Sequence, residues 1–518
     1  MNICVGILGE DARGWLELLA QIGVPCREAQ GRLAPDFWSV VVVADDAGET
    51  MLASAREYLK EGGALLCSGS VHARLTGAAG DERSVGYLLQ DGESGLFPGI
   101  GIVDLYATCR VPAGSNAVMA NDGRHCVLSG PAGGGTLVAL PFDAPELLGD
   151  ARASQKSFWA ERGRLPFERV SVVSRAGIRA LVTRALELLH HGRGLPFLHL
   201  WYYPGEKPSL FSLRIDTDFA TAAEIEPLAA LLGKHDIPAT WFVHVEGQEE
   251  LLRFYGGLKG HEIGVHCFQH RFFDREELID KDISRAEAML SAAGVPFRGY
   301  AGPYGRSSGE LARVIARHGF EYSSEFSYDY DNLPSAPASG DGVTPTLQVP
   351  VHPISIGNLR RQGCSGEEMR AYFSDVVSRK LRSGSPLFFY HHPKNLHHDV
   401  LEHLFSMIRE ERISPVLLGD YARWWKSRGT IALAAALEGT RLELAGAAPP
   451  GDFCCRVTRG DRTEALVPFP AGLDLRSAAW RASPAPLALP AAVGRMRHFN
   501  PWMLVNRVED YLHRKLSF

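Results

Sequence analysis

Along the first 150 residues, short unbroken apolar runs alternate with amphipathic stretches. "ICVGIL" (Ile3–Leu8), "SVVVVAD" (Ser39–Asp45) and "ALLCSG" (Ala64–Gly69) each read as a buried strand, and "GGTLVALPFD" as a closing one. Between them, "GWLELLAQIG" and "ETMLASAREYLKEGG" repeat apolar residues at three- and four-residue spacing, the period of a helix with one buried face. That alternation predicts a parallel sheet covered on both faces, a flavodoxin-like domain over residues 1–150. "SRAGIRALVTRALELLHHG" makes residues 151–205 a helical bridge. Strand and helix patterns then alternate again over residues 206–428. The strands are "PATWFVHV", "HEIGVHCF", "LQVPVHPI" and "PLFFYHH"; the helices are "REELIDKDISRAEAMLSAAG", "GELARVIARHGF" and "MRAYFSDVVSRKLRSG". Repeated βα units of this kind predict a deformed (β/α) barrel, which gathers the carboxyl ends of its strands on one face. Past residue 428 the runs shorten between Gly/Pro turns, predicting a small β-sandwich-like module over 429–492. "FNPWMLVNRVEDYLHRKLSF" reads as an amphipathic helix within 493–518, with Arg514 and Lys515 suited to its carboxyl-terminal dipole.

The chain's 518 residues suit about three domains. Its formal net charge of −6 leaves no basic excess for neutralising phosphates, which argues against nucleic acid as a partner. The nine cysteines are scattered, odd in number and form no C-x-x-C pair, so a reducing compartment is expected. The start, "MNICVGILGEDARGW", lacks the basic and apolar regions of a signal peptide, and no run approaches the ~18 apolar residues of a membrane span. The expectation is a cytoplasmic enzyme, with peripheral contact to the inner membrane through the C-terminal helix as a further expectation.

"SLFSLRIDTDFATAAEI" brings chemistry into this frame: an apolar run reaches Ile215 and is followed by Asp216 and Asp218. Two carboxylates that close resist being ionised together unless a cation is present. About fifty residues on, "HEIGVHCFQHRFF" sets His266 and His270 four apart, which places both imidazoles on one side of a helix or tight turn. Two imidazoles and a carboxylate are the usual ligand count of a hydrolytic metal site. "FRGYAGPYGRSSGEL" puts Arg298, Pro303, Tyr304 and Gly305 in a loop before a helix, and "PLFFYHHPKNL" ends a strand in His391 and His392. All four segments fall at the ends of predicted strands.

These residues resemble the polysaccharide deacetylase family, the nodulation-type deacetylases of carbohydrate esterase family four, over residues 206–428. The resemblance implies Asp216 as base, and Asp218, His266 and His270 as metal ligands. It implies His392 as general acid, with His391 next in line. Pro303 and Tyr304 match the third motif, whose Tyr304 backbone N–H would meet the oxyanion. Arg298, the orienting arginine, lies upstream of the family's R-x-P spacing, and Asp329 or Asp331 in "EYSSEFSYDYDNLP" would orient a catalytic partner. The implied cofactor is a divalent metal, zinc by default, with cobalt, nickel, manganese or iron tolerated. The implied activity is metal-dependent N-deacetylation of a sugar or glycan precursor. Two alternatives stand beside it: a related C–N hydrolase acting on a non-sugar amide, and a non-catalytic glycan-binding or scaffold protein. The first 150 residues resemble the glutamine-amidotransferase-like domains attached to carbohydrate enzymes. Cys67 lacks that family's G-x-C-x-G elbow, so it is expected to be a buried structural thiol in a non-catalytic domain.

Overall fold

A computed structural model describes residues 1–90, 95–339, 342–485, 493, 496, 501–502 and 504–508. Most of the expected C-terminal helix, Arg514 and Lys515 included, lies outside the described residues. The chain divides into two compact units, one of Met1–Asp150, Val172–Glu206 and Trp424–Ala488, the other of Ala151–Ser171, Lys207–Arg423 and Leu489–Phe518.

In the first unit, five parallel strands stand in the order Cys26–Glu28, Val5–Leu8, Val40–Val43, Ala64–Ser68 and Gly135–Leu140. Successive side chains of a strand take opposite faces. Val40 and Val42 accordingly pack with Trp15, Leu19 and Ile178, whereas Val41 and Val43 pack with Leu52, Tyr58 and Val71. Helices Arg13–Ile22 and Arg175–Gly192 thus cover one face, and Glu49–Lys60 and Gly69–Thr76 the other. Cys67 belongs to the second of these cores, and burial raises its thiol pKa far above the ordinary value, so it packs and does not react. The same sheet continues through four antiparallel strands, His125–Ala132, Ala117–Ala120, Asp81–Leu89 and Ile102–Val111. Two smaller antiparallel sheets complete this unit. One pairs Phe197–Leu200, Cys454–Thr458, Thr463–Pro468 and Arg481–Ala482; the other pairs Ala434–Glu438, Arg441–Ala445 and Gly472–Asp474. They share a core that includes Leu198, Leu200, Leu442, Leu444, Val457 and Val467.

The second unit is built on a curled parallel sheet. Its strands run in the order Leu347–Gln348, Tyr322–Ser323, Gly299–Tyr300, Glu262–Cys267, Ala239–His244, Leu210–Asp216 and Leu387–His391. The two end strands are not paired with each other among the described residues, so the sheet forms a half-barrel. The period of two again decides what faces where. Phe211, Leu213, Ile215, Trp241, Val243, Ile263, Val265, Leu387 and Phe389 pack outward against the helices that follow the strands. Arg214, Asp216, Phe242, His266 and Tyr390, at the intervening positions, are left to the concave side. Gly264 shares that side, where a Cβ would lie 2.5 Å from the Phe242 ring.

Candidate active site

The alternation that buries Leu213 and Ile215 turns Arg214 and Asp216 inward, and Asp218 follows two residues later. Thr217 locks this strand end to its neighbour: its N–H donates to the Phe242 carbonyl at 3.1 Å, and its Oγ1 accepts the His244 N–H at 2.9 Å. His266 closes the next strand. Its Nδ1 lies 2.5 Å from the Ala301 carbonyl, which places the proton there and leaves the Nε2 lone pair free. His270 comes from the bend beyond that strand, not from a helix. Asp282, from helix Glu276–Ala292, shapes the bend by accepting the Phe268 and Gln269 N–H groups at 3.0 and 2.7 Å.

The Nε2 atoms of His266 and His270 stand 3.0 and 3.1 Å from Asp218 Oδ1. All three atoms are buried without a hydrogen-bond partner among the described residues, and they lie within 4.8 Å of one another. Orphaned buried ligand atoms of this kind are costly unless something satisfies them. Two imidazole nitrogens and one carboxylate oxygen fit a borderline divalent ion such as zinc, with coordination positions left open. Burial alone would raise the Asp218 pKa; the charges of His270 and His392, with the contact from His266, hold it well below the ordinary carboxylate value.

His392 closes on the same carboxylate from the other side, its Nε2 3.3 Å from Asp218 Oδ2. The Asn395 Nδ2 group lies 3.4 Å from His392 Nδ1, so the donating amide leaves the ring proton on Nε2. His391, the neighbouring candidate, does not join them. It occupies the outward position next after Phe389, is fully buried, and neither ring nitrogen has a hydrogen-bond partner among the described residues. Burial above all, then the nearby His392, His398 and His397, push its pKa down to about 3.

Arg298 also stays outside this group. Its side chain is half exposed and its Nε lies 3.9 Å from Glu321 Oε1. The arginine beside Asp216 is Arg214, which sequence reasoning missed. Its Nε donates to Asp216 Oδ1 at 2.7 Å and its Nη2 to Oδ2 at 2.6 Å, while Nη1 donates to the Ser324 carbonyl. The guanidinium is fully buried, with the Phe242 and Tyr390 ring centroids 5.4 and 5.8 Å from its carbon. The available signal was "RID": two residues apart on a strand share a face. Asp329 and Asp331 do not meet His392 either. Asp329 accepts the Tyr330 N–H and the Asn332 side-chain amide, and Asp331 bridges His352 Nδ1 at 2.9 Å and Lys380 Nζ at 2.5 Å.

Two aromatic side chains line the opening. Tyr304, in the turn Pro303–Gly305, has φ 58° and sets its ring edge-on to His270, centroids 4.7 Å apart. Pro303 is buried beneath this turn. Phe219, with φ 53°, lies edge-on to His244 at 4.5 Å and to His270 at 5.4 Å. His244 is a second residue the sequence reading did not single out. Its Nδ1 accepts the Phe219 N–H at 3.4 Å, and its buried Nε2 is without a partner among the described residues.

No curated protein sequence matches the chain. Among solved structures, one described as a putative polysaccharide deacetylase from Mycobacterium smegmatis is similar at 19% identity and TM-score 0.36, covering 44% of this chain and 93% of its own. A family 4 carbohydrate esterase from Streptomyces lividans, in complex with acetate, is similar at 15% identity and TM-score 0.29, covering 40% and 92%. A CE4 family pseudoenzyme from Bacillus anthracis is similar at 16% identity and TM-score 0.31, covering 42% and 68%. The family model described as Polysaccharide deacetylase matches residues 216–323, the span that holds Asp216, Asp218, His266 and His270, and over those residues the chain carries a domain of that family.

Proposed function

We propose that this chain is a metal-dependent carbohydrate N-deacetylase, a hydrolase that removes an acetyl group from an N-acetylated sugar or glycan precursor. The observation that carries this reading is the convergence of three buried, unsatisfied ligand atoms, Asp218 Oδ1, His266 Nε2 and His270 Nε2, between Asp216 and His392. Asp218, His266 and His270 would hold a divalent ion, zinc by default, and that ion would supply Lewis acidity toward the acyl oxygen and an activated water near neutral pH. Asp216, fixed by the Arg214 fork, takes the proton of the attacking water. His392, protonated at Nε2, gives a proton to the departing amine, which leaves poorly as an anion. The Tyr304 backbone N–H would meet the oxyanion. With Arg214 forked onto Asp216, the position of Arg298 upstream of the R-x-P spacing is no argument for the scaffold alternative. The flavodoxin-type reading of the first 150 residues is supported by the strand order, and their non-catalytic role by the buried Cys67. Peripheral membrane contact near the C-terminus is supported by exposed Trp502, Leu504, Val505 and Val508.

Elemental mass spectrometry and an acetate assay test the central reading together. The wild type is expected to hold about one divalent ion per chain and to release acetate from N-acetylated sugars. His266→Ala is expected to lose both. A wild type that binds no metal after reconstitution with zinc, cobalt, nickel, manganese or iron sinks the proposal. Release from non-sugar amides but not from sugars moves it to the related C–N hydrolase.

A further inference from the structure

We infer that the substrate is an acylated amino sugar carrying an anionic group, its ring stacked on Phe219 and its charge met by Lys394. The inference rests on the deacetylase reading above and narrows it.

Phe219 directly follows Asp218 in the chain, and its φ of 53° lies in the left-handed region that bulky side chains avoid. Its ring is nevertheless 54% exposed, so burial does not account for it. Backbone strain of this kind collects at active sites and ligand clamps. Tyr304 repeats the arrangement from another loop, with φ 58° and 43% exposure. The two rings approach the same His270 imidazole, at 5.4 and 4.7 Å. Flat apolar faces at the opening of a polar pocket suit the carbon face of a sugar ring, whose acyl group would then reach the cluster below.

Lys394 adds the charge. It lies two residues beyond His392 and is exposed, with its Nζ 5.8 Å from the Phe219 ring centroid. Among the described residues no carboxylate pairs with it, although acidic residues outnumber basic ones in this chain, 60 to 54. Leu396 and His397, just after it, have φ of 51° and 55°, so this loop too is held in the left-handed region. An ammonium beside a stacking ring is within reach of a phosphate or carboxylate on the stacked sugar. Because the chain is net negative, attraction for anions would be local to this opening.

The test uses the full-length, zinc-loaded chain and calorimetry. Ligands are glucosamine 1-phosphate, glucosaminuronic acid and methyl glucosaminide, already deacetylated so that no turnover intervenes, with inorganic phosphate alone as a fourth arm. Either or both anionic sugars are expected to bind at least ~10-fold more tightly than methyl glucosaminide, which shares their amine and lacks the anionic group, and which of them does so separates phosphate from carboxylate. Lys394→Gln should bring that ratio to about one. Phe219→Gly should weaken all three sugars at least ~10-fold without lowering Tm, since glycine accepts the backbone conformation, and Phe219→Trp should restore binding. Equal affinity for methyl glucosaminide and the anionic sugars, a Lys394→Gln loss shared by all three, or binding of phosphate alone as tight as that of the sugar phosphate would each overturn the inference. Acetate release from the N-acetylated forms is run in parallel. Release from all of them alike overturns the inference and leaves the deacetylase reading standing. Tight anionic-sugar binding with no acetate from any form overturns the deacetylase reading instead.

Discussion

Arg214 and Asp216 stand two apart on one strand, so the fork that holds the carboxylate is built without any loop between them. Two parallel hydrogen bonds fix the plane of Asp216, and with it the direction in which a base can accept a proton. A lysine ammonium at the same place is a point charge and leaves that plane free to rotate. Arg214→Lys is therefore expected to lower kcat by about 100-fold while metal content stays unchanged. Arg214→Met leaves a buried carboxylate without its partner and is expected to destabilise the fold by about 3 kcal/mol in urea unfolding. Arg298→Ala, at a half-exposed arginine whose contact with Glu321 is long, is expected to change stability by less than about 0.5 kcal/mol and to leave kcat alone. A loss of activity from Arg298→Ala equal to that from Arg214→Lys would show the assignment to be reversed.

Between elements, Glu325 ties the turn that presents Tyr304 to the end of strand Tyr322–Ser323. Its Oε1 accepts the Gly302 N–H at 3.0 Å. Burial raises its pKa to about 7, against hydrogen bonds from Ser323 and Gly302 and the charge of Arg214. A carboxyl whose folded value is raised contributes its full stability below the unfolded value, near 4.5, and loses it as the pH climbs through 7. The loss is about 3 kcal/mol. Urea unfolding at pH 5 and pH 8 should show it in the wild type and not in Glu325→Gln, which keeps the acceptor and has no charge to bury. An unchanged pH dependence in the variant would assign it to another group. The same scale decides what could be read from the chain. Strands buried on both faces announce themselves as unbroken apolar runs, so Val40–Val43, Ala64–Ser68 and Leu387–His391 were legible. Asp81–Leu89 and Ile102–Val111 were not, since along much of each only some positions face a core and the signal is diluted by polar residues. The His266–His270 pair was legible as a spacing, but its geometry was not, because a strand end and a bend bring the rings together. His391 and His392 are adjacent in the sequence, and only the register of the strand settles which of them the pocket receives.

Across the whole molecule, every proposed metal ligand belongs to one of the two units. Asp218 follows strand Leu210–Asp216, His266 lies next to the end of Glu262–Cys267, and His270 follows it, all within Lys207–Arg423. An ion bound there joins the carboxyl ends of strands that are not sequence neighbours, and opening them requires its release. At a free concentration 1,000-fold above its Kd, such an ion stabilises the folded state by about 4 kcal/mol. The effect should be written in the amides of the strands it ties. Hydrogen exchange of the loaded wild type is expected to show higher protection in Leu210–Asp216, Ala239–His244 and Glu262–Cys267 than after chelation. Val40–Val43, in the unit that supplies no ligand, serves as the internal reference and is expected to exchange alike in both states. His266→Ala should exchange like the chelated wild type, and added chelator should change it no further. A gain in protection spread equally over both units would mean that metal couples them, and no gain in the ligand-bearing strands would mean that Asp218, His266 and His270 hold no ion.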